Sequence, residues 1–440
     1  MTPIQEKAIP VLLSGKDLVA QSKTGSGKTL AFSLPLLAKL DVRDRVIQAL
    51  VLCPTRELCT QVAREIRRLG RDYKGLQVLI VSGGLPPREQ ADALRRGVHV
   101  VVGTPGRVLD HGRRGRMDLR YVNTLVLDEA DRMLDMGFEE DMQAILDEVP
   151  STRQTAFFSA TYPKSFSKLS KKYQQDPARI TIEETEATTP AIRHLFSIAE
   201  SDEKPQALLK HLRMLRPESA FVFCNLKRTV AEVAELLAKE GFSAAALHGD
   251  LEQADRDRVM AKFRNGSTRI LVATDVAARG IDIQNVQAAI CYDLPYEADD
   301  YVHRAGRTGR AGKEGIAFSL VVSNEVMRIY AIEAYAGIKF ESADTLKDQP
   351  IRTAEAPAPA NASMKTFQIS GGRKEKVRPG DVLGALTGEA GGLQGADVGK
   401  IEVHDHFTYV AVSAHVADKA LKRLQAGQIK GKKFLVWLVK

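Results

Sequence analysis

Short apolar runs separated by stretches of helical character recur along the first three quarters of this chain. The runs at 48–53, 76–82, 98–103, 122–127 and 154–159 are apolar at consecutive positions, as expected of strands buried on both faces of a parallel sheet. Another short run, 17–22, precedes a helical stretch at 29–40. A polar stretch at 183–190 interrupts the rhythm, which then resumes with runs at 220–224, 243–247, 269–273, 288–292 and 316–322. The pattern predicts an α/β protein with two parallel-sheet domains, 1–182 and 191–350, joined by the linker 183–190. Two such domains in tandem put a cleft between them, where ligands commonly sit. An Ala/Pro-rich linker, 351–363, leads to a third unit at 364–440. In that unit 365–369, 407–412 and 434–439 alternate as strands, 397–399 resembles a turn and 417–425 a helix. The expectation is a small α+β sheet with helices on one face.

A length of 440 residues and an apolar content of 44% fit two to three globular domains. No apolar run approaches the ~20 residues that span a bilayer, which argues against a membrane partner. The segment Met1-Thr2-Pro3-Ile4-Gln5-Glu6-Lys7 lacks the apolar region of a secretory signal, so a cytoplasmic protein is expected. Cys53, Cys59, Cys224 and Cys291 show no metal-ligand spacing and read as reduced core thiols. The formal net charge is +8. Residues 361–440 hold 13 Lys/Arg against 7 Asp/Glu, a surplus of +6, which points to a polyanionic partner.

Ser22-Lys23-Thr24-Gly25-Ser26-Gly27-Lys28-Thr29 has the form of a phosphate-binding loop between a strand and a helix. Gly25 and Gly27 permit a tight turn whose N–H groups face phosphates, and the helix N-terminus adds partial positive charge. Lys28 is placed for the β- and γ-phosphates and the Thr29 hydroxyl for Mg²⁺. Ser22 stands where the usual string begins with Gly. Asp128-Glu129-Ala130-Asp131 closes the run 122–127, and ligands of parallel sheets bind at carboxyl ends of strands. Asp128 is the candidate metal ligand and Glu129 the residue that orients and deprotonates the attacking water. The plainer alternatives are a Gly-rich turn with a surface lysine, and a helix cap for the acidic pair.

Further strings follow in order: Pro54-Thr55-Arg56-Glu57-Leu58, Gly83-Gly84, Thr104-Pro105-Gly106-Arg107 and Ser159-Ala160-Thr161. The second domain adds Gln253-Ala254-Asp255-Arg256, the stretch from Ala273-Thr274-Asp275 to Gly280-Ile281-Asp282, and the stretch from His303-Arg304 to Gly309-Arg310. Arg307 and Arg310, three apart in a glycine-bearing turn on the domain without a phosphate loop, fit an arginine finger that acts when the domains close. The alternative is a solvated basic face of Arg304, Arg307 and Arg310. The ordered set resembles the DEAD-box RNA helicases over residues 2–338. The resemblance implies two tandem RecA-like domains, ATP and Mg²⁺ as cofactors, and RNA as partner. It also implies that Gln5 reads adenine, Asp282 contacts ribose, and Ser159 and Thr161 couple hydrolysis to RNA. Pro54, Thr55, Arg56, Gly84, Thr104, Gly106, Arg107, Arg256 and Thr274 would line an RNA track through the sugar–phosphate backbone, which carries no sequence information. The family's adenine-stacking aromatic lies upstream of Thr2-Pro3-Ile4-Gln5, outside this sequence, so weaker ATP affinity is expected.

The strand and helix order of 364–440 is similar to an RNA-recognition-motif domain, with Phe407 and Tyr409 where that fold stacks bases, although the standard aromatic signature is missing and one of them can equally be core. The string Arg378-Pro379-Gly380-Asp381-Val382-Leu383-Gly384, with Gly399-Lys400-Ile401 and Tyr409-Val410, resembles the tail of DbpA-type helicases. That resemblance implies 23S-type large-subunit ribosomal RNA and pre-ribosomal particles as partners of a monomer. Arg373, Lys374, Lys376, Lys430, Lys432 and Lys433 are the candidates for backbone contacts, on clustered charge. His404 and His406 have no third ligand nearby, so a metal there is disfavoured. The leading expectation is ATP-dependent local unwinding of RNA; an RNA clamp that remodels RNA–protein contacts without unwinding, or a DNA helicase on the same plan, is the alternative.

Overall fold

Consecutive apolar residues in the first sheet point to opposite sides. Leu50 and Leu52 join one buried cluster with Leu125 and Leu127, while Ala49 and Val51 join another with Val100, Val102 and Val126. Burial on both faces explains the unbroken apolar runs. In a computed structural model of the chain, the described residues are 1–22, 26–84, 86–162, 164–182, 192–278, 286–309, 314–343, 362–388 and 392–439. The expected sites Lys23, Thr24, Gly25, Asp282 and Arg310 lie outside them, as do the linker 183–190 and 351–361 of the second linker.

The first sheet contains β1 (Leu18–Gln21), β2 (Ala49–Leu52), β3 (Val78–Val81), β4 (Val100–Gly103), β5 (Thr124–Asp128), β6 (Gln154–Ser159) and β7 (Ala178–Thr181). Their order is β3-β4-β2-β5-β6-β1-β7, and every pairing is parallel. The second sheet contains β8 (Ile192–Ile198), β9 (Ala220–Phe223), β10 (Ala244–Leu247), β11 (Ile270–Ala273), β12 (Ala288–Cys291), β13 (Gly315–Val321) and β14 (Phe340–Ser342). It repeats the plan with the order β10-β11-β9-β12-β13-β8-β14, again all parallel. Strands β7, β8 and β14 were not anticipated. They lie at or next to one end of their sheets and mix polar with apolar residues, so they lack the continuous apolar run that marks a central strand.

The C-terminal sheet is antiparallel: β15 (Met364–Ile369), β16 (Val398–Val403), β17 (Thr408–Ser413) and β18 (Val436–Leu438), in the order β16-β17-β15-β18. The helices Pro379–Thr387 and Ala417–Ala426 pack on one face, bringing Val382, Leu386, Ala420 and Leu424 against Phe367, Ile369, Val410 and Val412. Residues 397–399, expected as a turn, instead lead into β16. Its register shifts between Val398 and Ile401, and such an irregular, half-polar edge strand carries little periodic signal.

Contacts divide the chain into two compact units, the first built on β1–β7 and the second carrying both β8–β14 and β15–β18. Within the second unit, the helix Gln253–Arg264 covers the free face of the C-terminal sheet, where Ala261 packs on Tyr409 and Val439. Arg264 forms a two-pronged ion pair with Glu402, both bonds 3.1 Å, and Ser267 Oγ lies 2.6 Å from Thr366 Oγ1. All four cysteines are buried and free. No helix among the described residues is long and apolar enough to cross a membrane.

Candidate functional site

The strand order sorts the sequence strings along the carboxyl edge of the first sheet. Pro54–Arg56 follows β2, Gly83-Gly84 follows β3 and Thr104–Arg107 follows β4, which are the three neighbouring strands at one end. Ser22 follows β1, Asp128-Glu129 ends β5 and Ser159–Thr161 ends β6. One half of the edge thus holds the expected RNA residues and the other half the expected nucleotide residues.

In the nucleotide half, Lys28 opens the helix Lys28–Ala38 and is buried. Its Nζ donates to the Ser22 carbonyl at 2.8 Å. Ser22 Oγ and Ser26 Oγ lie 3.0 Å apart. Thr29 sits half-buried in the first helical turn. Gln5, on the helix Pro3–Leu13, is fastened to this loop: Oε1 accepts from Thr2 N at 3.0 Å and Nε2 donates to the Gly27 carbonyl at 3.2 Å. Gly27 has φ +93°, and a Cβ there would lie 2.4 Å from Gln5 Nε2, so both backbone and packing require glycine.

Asp128, Glu129 and Asp131 are all buried. Burial, reinforced by the Glu129 charge and opposed by Lys28, pushes the Asp128 carboxyl up to about 7. Asp131 behaves oppositely. Burial raises it, but the Thr161 backbone N–H and the Lys28 charge outweigh that and hold it below the ordinary value. Asp131 Oδ2 accepts from Ala160 N at 3.0 Å, Thr161 N at 2.8 Å and Thr161 Oγ1 at 3.0 Å. Glu129 is a non-glycine residue in the left-handed region, φ 52° and ψ 51°, just before the helix Ala130–Asp135. Strain of this kind gathers at functional sites.

In the other half of the edge, Thr55 caps the helix Arg56–Leu69 by accepting from Leu58 N. The Arg56 guanidinium lies against Gly84, where an added Cβ would fall 1.7 Å from Nη2 at φ +74°. Thr104 accepts from the backbone N–H of Arg107 and Val108 at the start of the helix Pro105–Arg113, with Gly106 exposed on its first turn.

In the second sheet Thr274 follows β11, and its hydroxyl accepts from Ala277 N. Arg256 Nη2 donates to the Ala277 carbonyl at 2.7 Å, which draws these two expected RNA residues together. Arg307 is buried. Arg304 does not belong to a solvated basic face. It is buried, with two bonds to Asp275 (2.7 and 2.6 Å), one to Asn225 Oδ1 and one to the Asp293 carbonyl. It ties together the carboxyl ends of β11, β9 and β12. The sequence reading assigned no role to Asp131, Asp275 or Asn225. The sequence did place a polar residue just past each apolar run, but the partner lies 29 to 79 positions away.

In the C-terminal domain Tyr409 is only 2% exposed and faces Asp257, Arg258 and Arg264, with burial raising its phenol to about 12. Of the two alternatives for Tyr409, base stacking or core, the structure takes the core: the helix Gln253–Arg264 occupies its face. Phe407 stacks on His404 at 4.5 Å. Lys374, Lys432 and Lys433 are exposed; Arg373 pairs with Asp405 at 3.3 Å, and Lys430 Nζ donates to the Lys376 carbonyl at 3.2 Å.

Residues 2–169 match the DEAD/DEAH box helicase family, 203–312 the helicase conserved C-terminal domain and 366–438 the DbpA RNA binding domain. The chain is 47% identical over its whole length to the ATP-dependent RNA helicase DbpA of Escherichia coli, covering 94% of that protein. This chain belongs to the DbpA-type DEAD-box RNA helicases. The DbpA of Bacillus subtilis is 38% identical over 99% of the chain, with 94% of that protein covered. Among solved structures, Saccharomyces cerevisiae Dbp5 bound to RNA and ADP BeF3 superposes with a TM-score of 0.70 at 33% identity. That match spans 78% of this chain and 89% of the other. As a DbpA-type helicase the protein is an ATP-dependent RNA helicase, with ATP as its nucleotide and RNA as its partner.

Proposed function

We propose that this helicase acts in the cytoplasm as a monomer on 23S-type large-subunit ribosomal RNA within pre-ribosomal particles, unwinding short duplexes there with each ATP hydrolysed. The observation that carries the reading is the DbpA RNA binding domain at 366–438, held on a helicase core and presenting exposed lysines on a surplus of +6.

The same reading gives each site residue a role, which the edge geometry supports for the residues of the first sheet. Lys28 exchanges its bond to Ser22 for the β- and γ-phosphates, and the N–H groups of the 22–29 loop cradle them. Gln5 reads adenine while tied to the loop, and Asp282 meets the ribose. Mg²⁺ suits Thr29 and Asp128: a buried carboxylate held near 7 is stabilised as an anion by an added cation. Mg²⁺ is commonly held by one or two protein groups together with phosphates. The ion would polarise the γ-phosphate. Glu129 orients and deprotonates the attacking water, and Arg307 and Arg310 neutralise charge on the transferred phosphoryl group. Ser159 and Thr161 couple the two halves of the edge. Pro54, Thr55, Arg56, Gly84, Thr104, Gly106, Arg107, Arg256 and Thr274 grip the RNA backbone, and the tail cations Arg373, Lys374, Lys376, Lys430, Lys432 and Lys433 hold the ribosomal target.

The test is ATPase rate with no RNA, poly(U) and total ribosomal RNA, for the wild type and for Lys432→Glu/Lys433→Glu. Stimulation by ribosomal RNA well above poly(U), lowered toward the poly(U) level by the double variant, is the expected result. Equal stimulation by both RNAs in both proteins removes the ribosomal target and leaves a general helicase.

A further inference from the structure

A four-stranded sheet of this topology stacks bases on aromatic residues of its open face. Here the middle of that face is taken. The helix Gln253–Arg264 and the residues after it cover Tyr409 on β17, Thr366 on β15 and Glu402 on β16, and reach Val439 just past β18.

Beyond the helix one part of the face stays open. Phe367, Ile369 and Val436 point into the core, so their strand neighbours Gln368 and Trp437 point the other way. Gln368 and Trp437 are direct partners in the β15–β18 pairing. Trp437, the chain's single tryptophan, is 41% exposed, and Leu435, just before the strand, is 75% exposed. The loop entering this edge strand carries exposed Lys432 and Lys433.

We propose that Trp437 and Gln368 form a stacking site for an unpaired RNA base, displaced to the last strand because the usual central position lies under the helix. The inference rests on the RNA-binding reading of the C-terminal domain. The occupant is single-stranded RNA because an accessible indole offers a flat apolar surface to any base, the adjacent amide offers a donor and an acceptor to the base edge, and the neighbouring lysines complement the phosphates on either side. A base in a duplex is already stacked and cannot reach the indole, so the site selects unpaired nucleotides.

One tryptophan makes the site directly observable. The full-length protein is titrated with an eight-nucleotide single-stranded RNA and with a blunt duplex of the same sequence, following tryptophan fluorescence. Saturable quenching by the single strand, and little by the duplex, is expected. In anisotropy measurements Trp437→Ala weakens single-strand binding about tenfold, Trp437→Phe restores most of it, and ATPase at saturating poly(U) is unchanged in both. Equal quenching by duplex overturns the proposal. So does unchanged binding by Trp437→Ala under conditions where Lys432→Glu/Lys433→Glu weakens it, an outcome that leaves the open face to a protein partner. Loss of the ribosomal RNA preference with intact single-strand quenching removes the ribosomal reading and leaves the stacking site standing.

Discussion

Asp131 grips Thr161 twice, through the backbone N–H at 2.8 Å and the hydroxyl at 3.0 Å, with the same Oδ2. The bond joins the segment after β5, where Asp128 and Glu129 sit, to the end of β6, and gives the coupling proposed for Thr161 a direct physical link.

Replacing Thr161 by Val removes the hydroxyl bond and keeps the backbone one. We expect ATP affinity and RNA-free ATPase to stay near wild type while stimulation by poly(U) falls about tenfold and duplex displacement falls further, since a buried hydrogen bond to a charged group contributes roughly 1.5–3 kcal/mol. Parallel loss of basal and stimulated rates would take the coupling role away from this pair.

Glu129 occupies left-handed backbone, φ 52°, that Gln tolerates about as well as Glu. Glu129→Gln therefore preserves the fold and changes only the carboxylate. ATP binding by equilibrium dialysis is expected to persist while turnover drops at least about a hundredfold, the lower end of what a positioned base contributes. Substantial residual hydrolysis would transfer the role elsewhere.

His194 is held largely out of water beside Tyr301, 2.7 Å from its hydroxyl, and burial lowers its pKa from 6.5 to about 4. The folded protein thus refuses a proton that the unfolded chain accepts below about 6.5. The associated stability is complete above pH 6.5 and drains away as pH falls from 6.5 toward 4. The drop in Tm between pH 7.5 and pH 5 should be smaller in His194→Gln than in the wild type. An identical drop would show that other groups carry the acid sensitivity.

Arg264 and Glu402 clamp the C-terminal sheet to the helix Gln253–Arg264, and Glu402 is largely buried there, 14% of its side chain exposed. Arg264→Glu sets two carboxylates against each other in that setting. Release of the C-terminal domain should appear as a larger radius of gyration in small-angle scattering, with poly(U)-stimulated ATPase retained. An unchanged radius would mean that Ala261, Tyr409 and the Ser267–Thr366 bond hold the domain unaided.

The central strands were legible because burial on both faces leaves an uninterrupted apolar run, and Gln154–Ser159 was placed to the residue. Strings such as Ser22–Thr29 and Asp128–Asp131 were equally plain, since phosphate cradling and metal binding demand particular residues at fixed local spacing. Strands β7, β8, β14 and β16 were not, because strands at or near a sheet edge mix polar with apolar residues. The amino-acid order by itself determined these local elements and their chemistry. Only the tertiary structure decided their neighbours. Strand order put the two sets of strings on opposite halves of one edge, Asp131 found Thr161 and Arg304 found Asp275, and Tyr409 was covered while Trp437 was left open. Such contacts arise from long-range pairing of elements, which no local pattern of residues encodes.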